Sequence, residues 1–406
     1  MSEERQAARP APAHPVEDLV GEAGRQLDDA VALRRRIHAR PEIGLDLPVT
    51  QEIVLDALDG LGLEISTGTA TTSVVAVLQG DRAGPTTLLR ADMDALPMPE
   101  DTGLDFASGV DGQMHACGHD AHVAMLVGAA RLLVSRRAEL AGRVVLMFQP
   151  GEEVYGGARV MLDEGLLSAY GDIDRAFAIH ISSVLPSGLV ACKAGTMLAS
   201  CDEFRITVTG KGGHASMPHD AIDPVPVACE IVTAVQAMVT RVVPAFDPAV
   251  VTVTRIQAGT AFNVIPESVT CDGTIRSVSD ESRDLAINGL RRVAEHVAAA
   301  HECHAEIEFI ADTHYPITVN DAAAADRTLD VAQGLIGADR VVRMPTPVMG
   351  AEDWSYVLQN VPGSMAFLGA SPPGVKHPAP NHSNRMLIDE PAMATGIALH
   401  AAMALN

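Results

Sequence analysis

The stretch Val144–Glu153 reads VVLMFQPGEE, and it decides the fold class more clearly than any other part of the chain. Its first half, Val144–Phe148, is a short continuous apolar run, typical of a strand buried on both faces of a mainly parallel sheet. Its second half turns through a proline and a glycine and ends on two adjacent acids, Glu152 and Glu153. A buried strand that leads into acidic residues predicts an α/β protein with its chemistry at a strand end.

Other strand-like runs of the chain end in the same way. Ser73–Leu78 and Thr86–Arg90 precede the central stretch, and the second of these leads into Asp94. Further along, Ala176–Ile181 carries His180. Helical patterns separate these strands, and such alternation indicates an α/β fold with a mixed, mainly parallel sheet flanked by helices. Because ligands gather at the carboxyl ends of parallel strands, we expect these side chains to meet.

The rhythm of the sequence changes after about residue 187. The run Glu203–Thr209 alternates between apolar and polar residues, as a strand with one buried face does. A helix, two strands, a helix and a strand follow it up to Ile310, and this order predicts an inserted, ferredoxin-like α/β sandwich. The predicted domains are a disordered tail at 1–15, a catalytic metal-binding domain formed by 16–188 plus 312–406, and an inserted domain at 189–311.

Composition excludes several classes of function. The formal net charge of −23 argues against binding to nucleic acid or to an anionic membrane surface. The six cysteines show no paired spacing, which argues against a disulfide framework in a chain of 406 residues. No apolar run reaches the ~18 residues of a membrane helix, and Met1–Pro15 lacks the apolar core of a secretory signal. We therefore expect a cytoplasmic protein.

The stretch His115–His122, which reads HACGHDAH, carries the clearest metal-binding signal. Cys117 and His119 are two residues apart, so their side chains can reach one ion from a single turn of backbone. Zinc-class ions accept such sulfur and nitrogen ligands. The candidate metal ligands are Cys117, His119, Glu153, His180 and His382. The roles of His115 and His122 stay open on the sequence alone.

Five candidate ligands are more than one ion needs. The surplus predicts two divalent metal ions, about 3.5–4 Å apart. A thiolate with imidazoles suits zinc, but manganese, cobalt or nickel could occupy a site that also contains a carboxylate.

The adjacent acids Glu152 and Glu153 predict two different roles, one in metal binding and one in proton transfer. Adjacent side chains in a loop point in different directions, so Glu153 can bind metal while Glu152 faces the substrate. A carboxylate beside an activated water can take its proton and pass it to the leaving amine. The alternative is a solvated acidic pair after a strand. We assign Asp94 the task of orienting a histidine ligand from behind.

Three polar residues of the inserted unit are candidates for substrate contacts. His214 follows a glycine-rich turn at 210–213 and could stabilise the oxyanion of a tetrahedral intermediate. Asn263 and Arg276 are candidate substrate-binding residues, since a guanidinium can fork onto a substrate carboxylate. The alternative for Arg276 is a surface arginine paired with Asp272.

Together these stretches resemble the dinuclear metallo-amidohydrolases that include bacterial aminoacylases, hippurate hydrolases and plant hydrolases of indole-acetyl amino acids. The matching stretches are Arg90–Pro97, His115–His122, Phe148–Glu153, Gly210–Ser216, Asn263–Pro266 and Asn381–Ser383. The resemblance implies a zinc-exopeptidase-like catalytic domain, the five metal ligands named above, Glu152 as general base and Asp94 as its partner. It also implies that the inserted domain is a lid and dimerisation module, with His214 supplied by the same or the partner subunit.

The predicted function is metal-dependent hydrolysis of the amide bond of N-acyl amino acids or similar small conjugates, which releases a carboxylic acid and an amino acid. The predicted assembly is a homodimer or a higher homo-oligomer formed through the inserted domain. One alternative is a metallo-dipeptidase or carboxypeptidase on the same scaffold. A dipeptidase would need an acidic partner for the substrate α-amino group, and Asp353 is the candidate. Another alternative is a non-catalytic metal-binding protein, which predicts a broken ligand set.

Overall fold

The computed structural model describes residues 18–153 and 155–406, so the predicted tail at 1–15 lies outside the described residues. The helices are α1 Leu19–Arg25, α2 Leu27–His38, α3 Pro48–Leu58, α4 His119–Ser135, α5 Gly157–Asp163, α6 Leu166–Ala169, α7 Pro224–Val242, α8 Asp280–Ala300, α9 Ala322–Ile336, α10 Trp354–Leu358 and α11 Met393–Leu405. The strands are β1 Glu64–Thr67, β2 Val74–Gln79, β3 Arg82–Asp92, β4 Ala141–Gln149, β5 Arg175–Pro186, β6 Val190–Cys192, β7 Gly195–Leu198, β8 Ser200–Thr209, β9 Gly213–His214, β10 Ala249–Ala258, β11 Val264–Ile265, β12 Ser268–Ser277, β13 His304–Phe309, β14 Thr318–Asn320, β15 Val341–Arg343 and β16 Gly363–Ser371.

The larger sheet has eight strands in the order β1-β2-β4-β3-β5-β16-β6-β15. Its centre, from β4 through β3 and β5 to β16, is parallel, while β1 and β2 join one side antiparallel. The prediction of a mixed, mainly parallel sheet flanked by helices is therefore confirmed. The parallel centre brings the carboxyl ends of β3 and β4 to one edge.

The run that decided the fold class is buried on both sides of this sheet. Successive side chains of a strand point to opposite faces, and Val144, Leu146 and Phe148 pack under helices α1 to α4, α9 and α11. Val145 and Met147 face the other way, toward α5, α6 and α10. A continuous apolar strand is stable here because both of its faces lose water on folding.

The smaller sheet is antiparallel, with the order β10-β12-β8-β13. One face, which includes Phe204, Ile206 and Val208, packs on helices α7 and α8. The element order β8-α7-β10-β12-α8-β13 is the ferredoxin-like order that the sequence predicts. Helix α7 is long and apolar enough to span a membrane by length and composition alone. Its apolar stripe instead packs against this sheet as core.

The domain limits of 188, 189, 311 and 312 stay a prediction. Strand β6 follows residue 188 yet pairs with β15 and β16 in the larger sheet. Strand β7 pairs with β14, which follows the smaller sheet in sequence. We propose that the inserted unit is bounded by its own sheet, Ser200–Phe309, because the chain crosses between the two sheets at those points.

Candidate metal centre

The candidate ligands come from loops that follow parallel strands and from one strand itself. Asp94 follows β3, and Glu152 and Glu153 follow β4. His180 lies within β5, whose strand continues to Pro186, so its side chain projects from the sheet instead of from a loop. The fold thus delivers carboxylates and an imidazole to one edge, as the rule for parallel sheets requires.

Gly118 allows the remaining loop to approach the sheet closely. It precedes α4 with a φ of 91°, a conformation that residues with a Cβ rarely adopt. A Cβ at this position would lie 2.4 Å from Ile181 Cγ2. With glycine there, Cys117 Sγ lies 3.3 Å from His180 Nε2. Cys117 and His119 therefore flank the point of closest approach between this loop and β5.

The loop at Asn381 and His382 completes the cluster from a distant part of the chain. His382 has a φ of 66°, and its backbone N–H donates to Ala116 O at 2.7 Å. Its Nε2 lies 3.1 Å from Glu153 Oε1. The Asn381 amide donates to Cys117 O at 3.0 Å and to Ile181 O at 3.1 Å. Asn381 thus fastens this loop to both neighbouring segments.

The structure brings all five candidate ligands together in two overlapping groups. Cys117, His119 and His180 form one group, and Cys117, Glu153 and His382 form the other. Within each group the donor atoms lie within 4.8 Å of one another. The shared thiol makes the set suitable for two neighbouring divalent ions with sulfur, nitrogen and oxygen ligands. His119 Nε2 is buried and makes no hydrogen bond, which is unusual for a buried polar atom and fits a metal ligand.

Asp94 bonds both to the backbone that carries Glu152 and Glu153 and to the ring of His119. Its carboxylate accepts hydrogen bonds from the backbone N–H groups of Glu152 and Glu153, both at 2.9 Å. Its backbone carbonyl lies 2.9 Å from His119 Nδ1. The carbonyl can only accept, so Nδ1 carries the proton and Nε2 is left free for an ion. The carboxylate itself is 3.5 Å from Nδ1.

His122 and His115 differ in what surrounds them. His122 Nε2 accepts from the Ile181 N–H at 2.8 Å, and Nδ1 lies 2.5 Å from Asp92 Oδ1. Both of its ring nitrogens are therefore engaged in protein hydrogen bonds, which favours a structural role. His115 is buried with no hydrogen bond at either ring nitrogen, and burial lowers its pKa to about 3.

A buried arginine organises the carboxylates behind the cluster. Arg90 donates to Asp92 at 2.6 Å, to Gln149 at 2.9 Å, to Glu352 at 2.8 Å and to Asp353 at 3.1 Å. Burial lowers the pKa of Arg90, but these carboxylates raise it to a net value above its ordinary one. Through these four hydrogen bonds, Arg90 connects the ends of β3 and β4 to the segment that precedes α10.

Burial shifts the pKa values of several groups in the cluster. Burial lowers the pKa of His180 to about 3, which leaves a neutral imidazole with a lone pair for an ion. Burial raises the pKa of Cys117. Burial also raises the pKa of Glu152, and the nearby carboxylates of Glu352 and Glu153 raise it further. By contrast, hydrogen bonds with Cys117 and Glu153 raise the pKa of His382 to about 10, so the imidazoles of the cluster are not all neutral.

A cavity of about 650 Å³ opens beside the cluster and is lined by both sheets. Arg276 lines it, and the alternative of an Arg276–Asp272 pair is wrong. Asp272 is instead engaged by Arg205 at 2.7 Å and by Arg255. Tyr315 also lines the cavity, and its hydroxyl donates to Glu152 O at 2.5 Å and accepts from the Gly156 N–H.

Two predicted residues of the inserted unit do not line this cavity. His214 is exposed, and its Nδ1 lies 2.9 Å from Ser216 Oγ. Asn263 is adjacent, since its carbonyl accepts from the Ala215 N–H at 3.1 Å. Within one chain the structure therefore keeps this pair apart from the candidate ligands.

Sequence reasoning left several residues of the site without a role. They are Arg90, Asp92, Tyr315, Glu352 and Asn381. The adjacent acids at 352–353 repeat the signal of 152–153, two carboxylates in an otherwise apolar segment, yet Glu352 is given no role and Asp353 only the one that a dipeptidase would need. Nothing in the pattern around Tyr315 distinguishes it from a core aromatic residue.

Comparison with known proteins agrees with this geometry. The sequence model of peptidase family M20/M25/M40 matches residues 88–406. The chain belongs to this family. It is 38% identical over 394 residues to thermostable carboxypeptidase 2 of Saccharolobus solfataricus, covering 96% of this chain and 98% of the relative. It is also 38% identical over 379 residues to IAA-amino acid hydrolase ILR1-like 4 of Arabidopsis thaliana, covering 93% and 85%.

A solved structure supports the same family. The crystal structure of the Bacillus subtilis YXEP protein, a dinuclear metal-binding peptidase from the M20 family, is 33% identical to this chain with a TM-score of 0.80. The match covers 94% of this chain and 98% of that one. The predicted family is thereby confirmed, and the chain is a hydrolase of amide or peptide bonds.

Proposed function

We propose that this chain is a metal-dependent hydrolase of the amide bond in N-acyl amino acids, with Glu152 as general base and acid. One observation carries the proposal. Glu152 is buried beside the proposed ligands but belongs to neither of the two groups that contain Cys117. Its Oε2 lies 4.0 Å from His119 Nε2. A carboxylate so placed can exchange a proton with a water that attacks beside the ligands.

The proposed metal ligands are Cys117, His119, Glu153, His180 and His382. Two divalent ions held by them, zinc by preference and otherwise manganese, cobalt or nickel, would polarise the substrate carbonyl and lower the pKa of a water. The donor set fits this assignment because a thiol and a buried, unpaired imidazole nitrogen occur with a carboxylate in one cluster.

Residues of the chain itself transfer the proton, position the base and bind the substrate. Glu152 takes a proton from the attacking water and returns it to the departing nitrogen. Asp94 holds the backbone of Glu152 and Glu153, and Tyr315 holds the carbonyl of Glu152. We propose that Arg276 forks onto the substrate carboxylate from the opposite wall of the cavity.

The oxyanion and amide groups of the substrate are assigned to His214 and Asn263. Because both lie outside the cavity of one chain, they would reach the substrate through closure of the inserted unit or from a partner subunit. Either route makes the inserted unit part of the site.

A peptidase is the second candidate because the carboxypeptidase relative is as similar to this chain as the amino-acid conjugate hydrolase is, at 38% identity. A dipeptidase would need a free acid for the substrate α-amino group. Asp353 does not offer one. Its carboxylate accepts from Arg90, from Gln149 and from the Ala158 N–H, and its side chain is fully buried. This arrangement favours an acylated amino group.

We also propose that the protein is a cytoplasmic homodimer that associates through the inserted unit. Phe262 of that unit is fully exposed, and Val264, two residues later, is 52% exposed. Exposed apolar side chains on one unit support self-association. Light scattering after gel filtration tests the dimer, and a monomer of about 43 kDa would contradict it.

The first experiment is turnover of N-acetyl, N-benzoyl and indole-acetyl amino acids and of dipeptides. It is run after chelation and again after zinc, manganese, cobalt or nickel is added back. Activity on an acyl class that is lost with the chelator and restored by metal supports the proposal. Dipeptide hydrolysis alone would move the function to the peptidase alternative.

The second experiment separates the base from the ligands. Glu152→Gln should retain both metal ions and lose about 10²–10⁴-fold in turnover, the usual contribution of general acid–base catalysis. Glu295→Gln, an exposed position on α8, is the matched control and should change neither quantity. Near-normal turnover in Glu152→Gln would exclude the assigned role.

A further inference from the structure

Two opposite charges of the inserted sheet face the cavity from neighbouring strands. Arg276 of β12 pairs in register with Cys201 of β8, and Thr274 pairs with Glu203. Arg276 and Glu203 are therefore diagonal neighbours on one face of the sheet, with Cα atoms about 7–8 Å apart. Both side chains line the same cavity as the candidate ligands, and both are half-buried.

Neither charge is used by the protein itself. Within 18–153 and 155–406, neither Arg276 nor Glu203 makes a side-chain hydrogen bond or an ion pair. Further along the same face, Arg205 and Arg255 pair with Asp272, so the surface charges that could neutralise Arg276 or Glu203 are already engaged. Half-buried charges without partners are costly unless a ligand or water compensates them.

The other acids of the cavity have assignments that leave Glu203 as the one available to a cation. Glu352 accepts from Arg90 at 2.8 Å and from the Trp354 N–H at 3.2 Å. Glu153 belongs to the proposed ligand set, and Glu152 to the proton transfer. Of the four described acids that line the cavity, Glu203 is therefore the one without a task in the proposed reaction.

We propose that the amino acid released by this enzyme carries a positively charged side chain, and that Glu203 is the residue that selects it. The inference rests on the proposed function, in which Arg276 holds the α-carboxylate. The α-nitrogen of an N-acyl amino acid is an uncharged amide, so the cation must lie elsewhere on the substrate. Because Glu203 is the diagonal neighbour of Arg276, that cation belongs to the same amino acid and not to the acyl group.

Substrates of this class are Nα-acyl derivatives of lysine, ornithine or arginine. Their side chains place an ammonium or guanidinium several methylenes from the carboxylate, which matches two charges separated by one diagonal step of a sheet. Arg276 then pairs with the carboxylate of the ligand, and Glu203 pairs with its ammonium or guanidinium group. A neutral side chain would leave Glu203 desolvated and unpaired, and such a penalty supplies discrimination.

The test is a binding measurement that does not depend on turnover. Titration calorimetry on metal-loaded Glu152→Gln protein compares Nα-acetyl-L-lysine with Nα-acetyl-L-norleucine, which lacks the ammonium group. We expect the lysine derivative to bind at least about tenfold more tightly, equivalent to ~1.4 kcal/mol. Adding Glu203→Gln should bring the two ligands within about threefold of each other, and Arg276→Met should weaken both alike.

A matched control and a second readout keep the two proposals distinguishable. Glu306→Gln lies at an exposed position of β13 in the same sheet and should preserve the preference. Equal binding of both ligands, or binding of neither, would overturn the role of Glu203. If the parent enzyme hydrolyses both conjugates equally well, the proposed function stands and this inference fails. If the lysine derivative binds selectively but no conjugate is hydrolysed, the proposed function fails, and only the selection of a cationic side chain by Glu203 stands.

Discussion

Replacing Asp94 by asparagine tests whether one carboxylate positions both the proposed base and a proposed ligand. In the structure its two oxygens accept from the N–H groups of Glu152 and Glu153, each at 2.9 Å. Asparagine keeps one acceptor oxygen and presents an amide donor to the other N–H. One hydrogen bond to a charged group is therefore lost, which costs about 1.5–3 kcal/mol, and a buried N–H is left without a partner.

The expected loss can be read in two assays. Urea unfolding of Asp94→Asn should show a free energy of unfolding lower by about 1.5–3 kcal/mol. If the same energy holds the proposed base in place, kcat should fall roughly 10- to 150-fold, while the metal content measured by mass spectrometry stays near that of the parent. Asp101→Asn is the control, because that exposed carboxylate pairs with exposed Arg385 and such pairs contribute little. Parent-like stability and kcat in Asp94→Asn would refute the argument.

Three further outcomes follow from other contacts. Burial lowers the pKa of His38, but its hydrogen bond with Asp120 and other contacts raise the net value from 6.5 to about 9. The stabilisation that protonated His38 gives to the fold should therefore be complete below pH 6.5 and be lost as the pH rises through 9. The unfolding free energies of the parent and His38→Gln should then differ by about 3 kcal/mol at pH 6 and much less at pH 10, and a gap that is constant with pH would contradict this. Gly118→Ala should lower the melting temperature and the metal content, since its Cβ meets Ile181 at a positive φ; unchanged metal content would argue against that contact. Tyr315→Phe should cost about 1–3 kcal/mol in urea unfolding, and an unchanged midpoint would argue against the importance of its two hydrogen bonds.

Much of the fold was predictable because its main strands are strongly patterned. Val144–Phe148 predicts a doubly buried strand, and β4 at Ala141–Gln149 is one. The alternation at Glu203–Thr209 likewise predicts β8. The short strands β6 and β15 were missed because three residues carry no measurable periodicity and are stabilised by pairing with β16 and with each other. Tertiary pairing, not local preference, decides such segments.

The site was predictable in composition but not in its connections. Motif-like clustering pointed to Cys117 and His119, whereas the bonds that Asp94 makes to the loop after β4 depend on backbone geometry that no spacing encodes. The sequence assigns no role to Arg90, because its partner Glu352 is 262 residues away. Contacts of this range are set by sheet order, which the sequence does not reveal directly.

The long reach of the Asn381 loop has a consequence for biosynthesis. Its side chain bonds to Cys117 O across 264 positions and to Ile181 O across 200, and β16 inserts beside β5 in the middle of the large sheet. A nascent chain on the ribosome therefore holds four of the five proposed metal ligands before the segment that carries His382 has been translated. Assembly of this centre must be one of the last events of folding, after the carboxyl-terminal quarter has emerged. Truncation shortly before Asn381 should yield a chain that forms much of its secondary structure yet cannot retain its ions.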